Sequence, residues 1–284
     1  MKAGFWVAPD GADETMTLMP IGDDMSDAKA RARFSLLAAG DAESLIRACP
    51  KTRELLPRLA AALDAQQAEA EGQLFDITDF SADDKRLLDD VLGEGEVGGV
   101  VALPDGVTAQ IQEATMAGLW RVRFTDAQGA LFADYIEVSG LPQIARRAAL
   151  VNTQPLAYGA APQGAMNVMP LIKEIETRAE AYQPGQANHT ITFTLLPMSP
   201  DDMGFLQDSL GAGPVRLISR GYGACRVHCT ATKNVWSVQY FNSMDQIILD
   251  TLEIGAAPAV ACAAEEDFRD SALRMREIEE AYFT

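Results

Sequence analysis

The residues of this chain whose types and spacing suit chemistry best lie in Cys225-Arg-Val-His-Cys229. Two thiols and an imidazole within five positions are zinc-ligand types, and zinc takes them in tetrahedral sets of four. On a strand, however, Cys225 and Cys229 share one face while His228 points to the other. A fourth ligand is not close in sequence, since the chain has only one further histidine, His189. The order also departs from the C-x-x-C-H of haem attachment. The plainer reading is packed strand residues. A metal or redox role for Cys225 and Cys229 is the alternative.

Gly93-Glu-Gly-Glu-Val-Gly98 fits G-x-G-x-x-G letter by letter. A dinucleotide site needs a strand before that motif and a helix after it, so that the helix N-terminus faces the pyrophosphate. The pattern here reads helix first and strand second, and Glu94 and Glu96 would repel phosphate. Neither histidine has a nucleophile context such as G-x-S-x-G. Ser219-Arg-Gly-Tyr-Gly223 is the most individual segment. Its glycines predict a tight loop that presents Arg220 and Tyr222, residue types common as anchors in interfaces. The plainer reading of that loop is a hairpin turn.

The elements that must position these residues follow a long repeat. Asp83-Asp84-Lys-Arg-Leu-Leu-Asp-Asp-Val-Leu-Gly-Glu-Gly-Glu-Val97 matches Asp201-Asp202-Met-Gly-Phe-Leu-Gln-Asp-Ser-Leu-Gly-Ala-Gly-Pro-Val215 at a constant spacing of 118. After a slip of two, Trp120 pairs with Trp236, Asp134 with Asp250 and Pro142 with Pro258. In each copy a serine, Ser81 or Ser199, is placed to cap a helix whose first turn holds the two aspartates. Gly93 and Gly211 are placed to end it, because glycine takes a positive φ without penalty. Alternating strands follow at about 96–102, 108–115, 118–125 and 130–138, then at about 214–219, 224–232, 235–242 and 246–254. Their short connections require antiparallel pairing. Helices are expected over about 52–71 (with Pro57 as a first turn or kink), 141–150, 170–182 and 257–281, and a strand over 190–196. Asp41 is a candidate helix cap.

Composition sets the class. The chain has 284 residues, 48% hydrophobic and 23% charged, with a mean hydropathy of -0.02, which fits a globular protein with a proper core. No stretch approaches the 18 apolar residues of a membrane span, and the N-terminus lacks the pattern of a secretory signal. A net charge of -18 would repel nucleic acid and anionic membrane and attract a basic partner. The four cysteines read as reduced thiols of a cytoplasmic protein.

Several segments together resemble the HupH/HyaF family of nickel–iron hydrogenase expression/formation proteins. They are Leu92-Gly-Glu-Gly-Glu-Val97, Met166-Asn-Val-Met-Pro170, Leu195-Leu-Pro-Met-Ser-Pro200, Ser219-Arg-Gly-Tyr-Gly-Ala-Cys-Arg226 and Asn234-Val-Trp-Ser-Val-Gln-Tyr-Phe-Asn-Ser243. The similarity covers about residues 80–284, and the second copy carries most of it. The first copy lacks the Arg-Gly-Tyr-Gly loop and has Leu103-Pro-Asp-Gly106 in that area. The resemblance implies an accessory protein for hydrogenase assembly that acts on the small, iron–sulfur subunit before export. It supplies no catalytic residue.

These readings predict an α+β protein with two tandem repeated modules, each a short helix plus an antiparallel sheet, with flanking helices. Residues 1–40 form an extended arm, 41–150 the N-terminal helices and first module, and 151–284 the second module with the C-terminal helix. The expected function is a non-enzymatic, cytoplasmic maturation chaperone for the hydrogenase small-subunit precursor, with other maturation factors as further partners. Arg220, Tyr222 and Asn242 are the candidate partner-binding residues. No catalytic residue, metal site or cofactor is assigned, and neither nucleic acid nor membrane insertion is expected. The alternatives are an iron–sulfur or redox assembly factor using Cys225 and Cys229, and a small-molecule-binding regulatory module.

Overall fold

The computed structural model describes residues 47–151, 153–221 and 224–282. In chain order its elements are α1 (Pro50–Ala65), β1 (Gln73–Asp76), α2 (Ala82–Leu92), β2 (Val97–Ala102), β3 (Thr108–Glu113), β4 (Leu119–Thr125), β5 (Leu131–Val138) and α3 (Gln143–Val151). They continue with α4 (Val168–Ala181), β6 (His189–Thr192), α5 (Pro200–Leu210), β7 (Ala212–Ser219), β8 (Ala224–Thr230), β9 (Val235–Phe241), β10 (Ile247–Ile254) and α6 (Glu265–Tyr282). The fold is α+β with antiparallel sheet structure. The same succession of helix, short strand, capped helix and four strands runs from α1 to β5 and from α4 to β10. The expected N-terminal arm and the cap at Asp41 lie outside the described residues.

The contacts divide the chain into two compact units. The first holds residues 47–98, 105–143 and 262–282 of the described chain, and the second holds 99–104, 144–151, 153–221 and 224–261.

In the first unit the strands run in the order β1–β5–β4–β3, all antiparallel. The β4–β5 turn closes where Gly129 takes a φ of 80° and Asp126 Oδ1 accepts from the N–H groups of Gln128 and Ala130 at 2.9 and 2.8 Å. Trp120 is wholly buried, and its Nε1 donates to Ser139 O at 2.9 Å, which satisfies the one polar atom an indole takes inside. The core joins Leu55, Leu56, Leu59 and Leu63 of α1 with Leu87 and Leu88 of α2. α1 runs unbroken through Pro57. That proline lies on the exposed face, where water can satisfy the carbonyl it leaves free, and the buried leucines hold the helix on either side.

The C-terminal helix corrects the expected division of the chain. Residues 262–284 were assigned with the second module, yet α6 lies in the first unit. Its Phe268, Ala272, Met275 and Ile278 form one helical stripe that joins the α1 and α2 leucines in a single buried cluster. Each large side chain buried this way stabilises the unit by about 1.5–3 kcal/mol.

In the second unit the order is β7–β8–β9–β10–β6, again antiparallel. Val168, Leu171, Ile172 and Ile175 of α4 and Leu206 and Leu210 of α5 pack on Val235, Leu252 and Ile254. The strand expected over 190–196 stops at Thr192 and turns into a 3-10 helix, Phe193–Leu195. Phe193 is buried and Leu196 N donates to Phe193 O at 3.0 Å, so the chain tightens there. That tightening leaves Leu195 82% exposed.

Both expected helix caps are present. Ser81 accepts from Asp84 N at 3.0 Å and Ser199 from Asp202 N at 3.1 Å, and Ser199 with Asp202 completes a capping box. Gly93 and Gly211 end these helices with φ of 61° and 63°.

Candidate functional site

Two segments of the second unit, 167–174 and 189–198, meet in an open groove of about 610 Å³. One wall is the start of α4, with Asn167, Pro170, Leu171 and Glu174, and the floor is β6. The other wall is Leu195-Leu196-Pro197-Met198. The walls are tied together, since Asn167 Nδ2 donates to Pro197 O at 2.8 Å. Asn167, Glu174, His189, Thr190 and Thr192 are its polar members. His189 Nε2 lies 2.8 Å from Glu174 Oε1. Leu195 lines the groove at 82% exposure, and Met166 at 80% and Met169 at 37% flank it on the chain. An open trough with a largely apolar lining and one carboxylate–imidazole pair suits binding of an apolar segment; it offers no array of groups for bond-making chemistry. Sequence reasoning quoted both segments but placed no site there, because exposed methionine and leucine are indistinguishable from core residues until the fold is known.

The residues singled out for partner contact lie elsewhere in the second unit. The β7–β8 register sets Ser219 opposite Cys225, and the β8–β9 register sets Ala224 opposite Phe241. The Arg220 loop and the turn that starts at Asn242 therefore emerge at one end of the sheet. Arg220 is exposed, and Tyr222 lies outside the described residues. Asn242 is committed to its own turn: its Oδ1 accepts from Met244 N at 2.9 Å and Gln246 N at 3.0 Å, with Asp245 at a φ of 53°. That turn holds Met244 out at 71% exposure. Arg226 stacks on the Phe241 ring at 4.6 Å, a cation–π contact that packs the strands behind the loop.

Cys225 and Cys229 sit inside the sheet at 2% and 3% exposure. Burial pushes the Cys225 thiol up to about 12, with the negative charge of Glu253 adding to it. Burial likewise pushes Cys229 up to about 11, against the hydrogen bond it accepts from Val215 N at 3.2 Å. Thiols held protonated are poor nucleophiles and poor ligands, and no group of three metal-ligating side chains occurs among the described residues.

The glycine motif answers to packing. Gly93 caps α2, and strand β2 follows it. A side chain at Gly95 would strike the Ala114 carbonyl, and Gly95 N donates to Glu113 O at 2.7 Å. A charged cluster in the first unit is structural as well. Arg121, 5% exposed, donates to both oxygens of Asp134 at 2.5 and 2.7 Å and also to Asp89. Ser237, 116 residues further on, is the position that the expected repeat aligns with Arg121.

The family model described as the HupH hydrogenase expression protein, C-terminal conserved region, matches residues 50–150 and 165–282. The chain is 59% identical over 284 residues, all of both chains, to the hydrogenase expression/formation protein HupH of Rhizobium leguminosarum bv. viciae. It is 41% identical over 234 residues, 82% of each chain, to the hydrogenase expression/formation protein HoxQ of Azotobacter vinelandii. It is 33% identical over 232 residues to the hydrogenase-1 operon protein HyaF of Escherichia coli K12, covering 81% of this chain and 80% of that one.

Proposed function

The chain belongs to the HupH family of hydrogenase expression proteins, and from that membership we propose that it is a non-catalytic accessory protein of hydrogenase maturation that holds the small, iron–sulfur subunit precursor before export. The observation that carries the reading is the match to that family over both residues 50–150 and residues 165–282. The charge of -18 supports it, because an acidic surface steers a basic client and rejects nucleic acid. The protonated state of the Cys225 and Cys229 thiols favours a binding role over a redox one. No helix among the described residues is long and apolar enough to cross a membrane, in keeping with work in the cytoplasm.

Within this reading the chain carries two copies of one module, from α1 to β5 and from α4 to β10, with α6 added to the first. The matching caps at Ser81 and Ser199 and the matching succession of elements support the duplication. Arg220, Tyr222 and Asn242 are the residues assigned to contact with the client or with other maturation factors.

The test is a pull-down of the tagged full chain from a cell making its own hydrogenase, with the captured proteins identified by mass spectrometry. Recovery of the small-subunit precursor is the expected result. Recovery of only the mature subunit, only other factors or nothing would remove the reading's main support.

A further inference from the structure

We infer that the groove beside β6 takes an extended, apolar peptide segment bearing a basic residue, and that the segment adds to the sheet as a further strand along the free edge of β6. This inference rests on the reading of the chain as a client-binding protein and names the site and the chemistry it would use. Among the described residues β6 is the last strand in the order of the second unit, paired with β10 on one side only. An edge strand leaves a row of N–H and C=O groups that pair with any extended backbone. β6 carries no lysine or proline that would block such pairing, and Thr190 on it is exposed.

The surroundings of that edge choose the side chains. Leu195, at 82% exposure, and Met198 lie on one wall, with Leu171 facing them across the groove. A strand added to a sheet presents alternate side chains to one face, so every second residue of the guest would rest on this apolar lining. Charge selects the rest. Residues 166–202 hold five carboxylates against two basic side chains, and Lys173 is already bound to Glu176 at 2.5 Å. Glu174 stands in the groove wall, its carboxylate against His189 Nε2 at 2.8 Å, and faces where a guest cation would come. That carboxylate is the groove's acidic group, and a lysine or arginine in the guest gains an ion pair there.

The experiment uses the full chain with two kinds of short fluorescein-labelled peptide: a set tiling the hydrogenase small-subunit precursor, and a designed peptide of alternating leucine and serine flanked by arginines. Binding is read by fluorescence anisotropy for the native chain and for Leu195→Asp, Glu174→Lys and, as a control, Lys233→Ala, an exposed residue outside the groove. Leu195→Asp removes no buried contact and is expected to fold normally. The inference expects binding by peptides that combine apolar alternation with a basic residue, weakened by at least about tenfold in Leu195→Asp and in Glu174→Lys and unchanged in Lys233→Ala. Binding indifferent to Leu195→Asp overturns it, as does the absence of binding by any peptide, even where the precursor is pulled down; in that case the client reading survives without the groove. Designed-peptide binding that Leu195→Asp abolishes, with no precursor ever recovered, supports the groove and sinks the client reading. Peptide binding only in a chain lacking residues 1–46 would assign the groove to the chain's own N-terminal segment, and a dimer dispersed by Leu195→Asp would assign it to a second copy; either result overturns the proposal.

Discussion

Asp202 accepts a hydrogen bond from the backbone N–H of Val168 at 3.0 Å, so a side chain in the first turn of α5 also caps the start of α4. The same carboxylate accepts from Asn167 N at 2.8 Å and Ser199 N at 2.9 Å. Asp84 does the corresponding work in the first unit, accepting from Thr52 N at 3.0 Å and from the Ser81 hydroxyl at 2.7 Å. Each aspartate places a negative charge between two helix N-termini, where the backbone dipoles favour it.

Asp202→Ala should therefore cost more than an ordinary cap. A lost cap costs about 1 kcal/mol, and stranding further buried N–H donors adds about 1–3 kcal/mol. Burial raises the Asp202 carboxyl, but the hydrogen bonds from Ser199, Asn167 and Val168 outweigh it and hold the group below its usual value. A depressed folded-state value means that this stabilisation is present above the ordinary aspartate pKa and is lost as the pH falls through the folded one. Urea denaturation from pH 7 down to pH 3 should show the native chain losing stability that the alanine variant never had. Equal slopes for the two would count against the double cap.

Glu113 should make the first unit less stable as the pH rises from about 4.5 to about 7. Burial pushes its carboxyl up to about 7, with Asp267 and Glu96 adding to the shift and the hydrogen bond from Gly118 opposing it. A raised folded-state value means that the folded chain holds the proton more tightly than the unfolded one. Stability is then full below the unfolded value near 4.5 and falls as the pH rises through about 7, by on the order of 3 kcal/mol. Glu113→Gln should flatten that decline between pH 5 and pH 8. An unchanged profile would mean that another group is responsible.

Arg121→Ala should be among the most damaging single changes in the first unit. It leaves the buried carboxylate of Asp134, at 1% exposure, without its two hydrogen bonds, at a cost of about 3–5 kcal/mol. Replacing Arg121 and Asp134 together by methionine and leucine should recover part of that loss, because well-packed apolar residues avoid the desolvation of both charges while Asp89 keeps Arg123 as a partner at 3.6 Å. Thermal unfolding of the three chains decides the point.

Native thiol chemistry should distinguish the cysteines. Cys49, Cys225 and Cys229 are buried, and Cys262 is only partly so. Iodoacetamide at pH 8 should modify Cys262 first and leave the other three intact until denaturant is added, as mass spectrometry of tryptic peptides would show. Rapid labelling of Cys225 in the folded chain would revive a redox role for that strand.

Much of the local structure was legible. Ser81, Ser199, Gly93 and Gly211 carry their instructions in their own chemistry, a hydroxyl that accepts the first free N–H groups and a glycine that turns left-handed. The strands β2–β5 and β7–β10 were readable because alternation of two and short connections leave little choice but antiparallel pairing. The strand at 190–196 was overread, since nothing in Phe193-Thr-Leu-Leu196 announces the turn that Phe193 makes when it is buried.

What the sequence by itself determined is the class of the elements, their caps, the acidic character of the chain and its family, all properties carried by residues near one another or by their sum. The tertiary structure decided that α6 packs with α1, that Asp202 serves two helices, and that Met166–Pro170 and Leu195–Met198 form one groove. The physical reason is shared by all three. Each depends on a side chain meeting a partner far along the chain, and an apolar stripe or a carboxylate names the kind of partner it needs without naming which one the fold will bring.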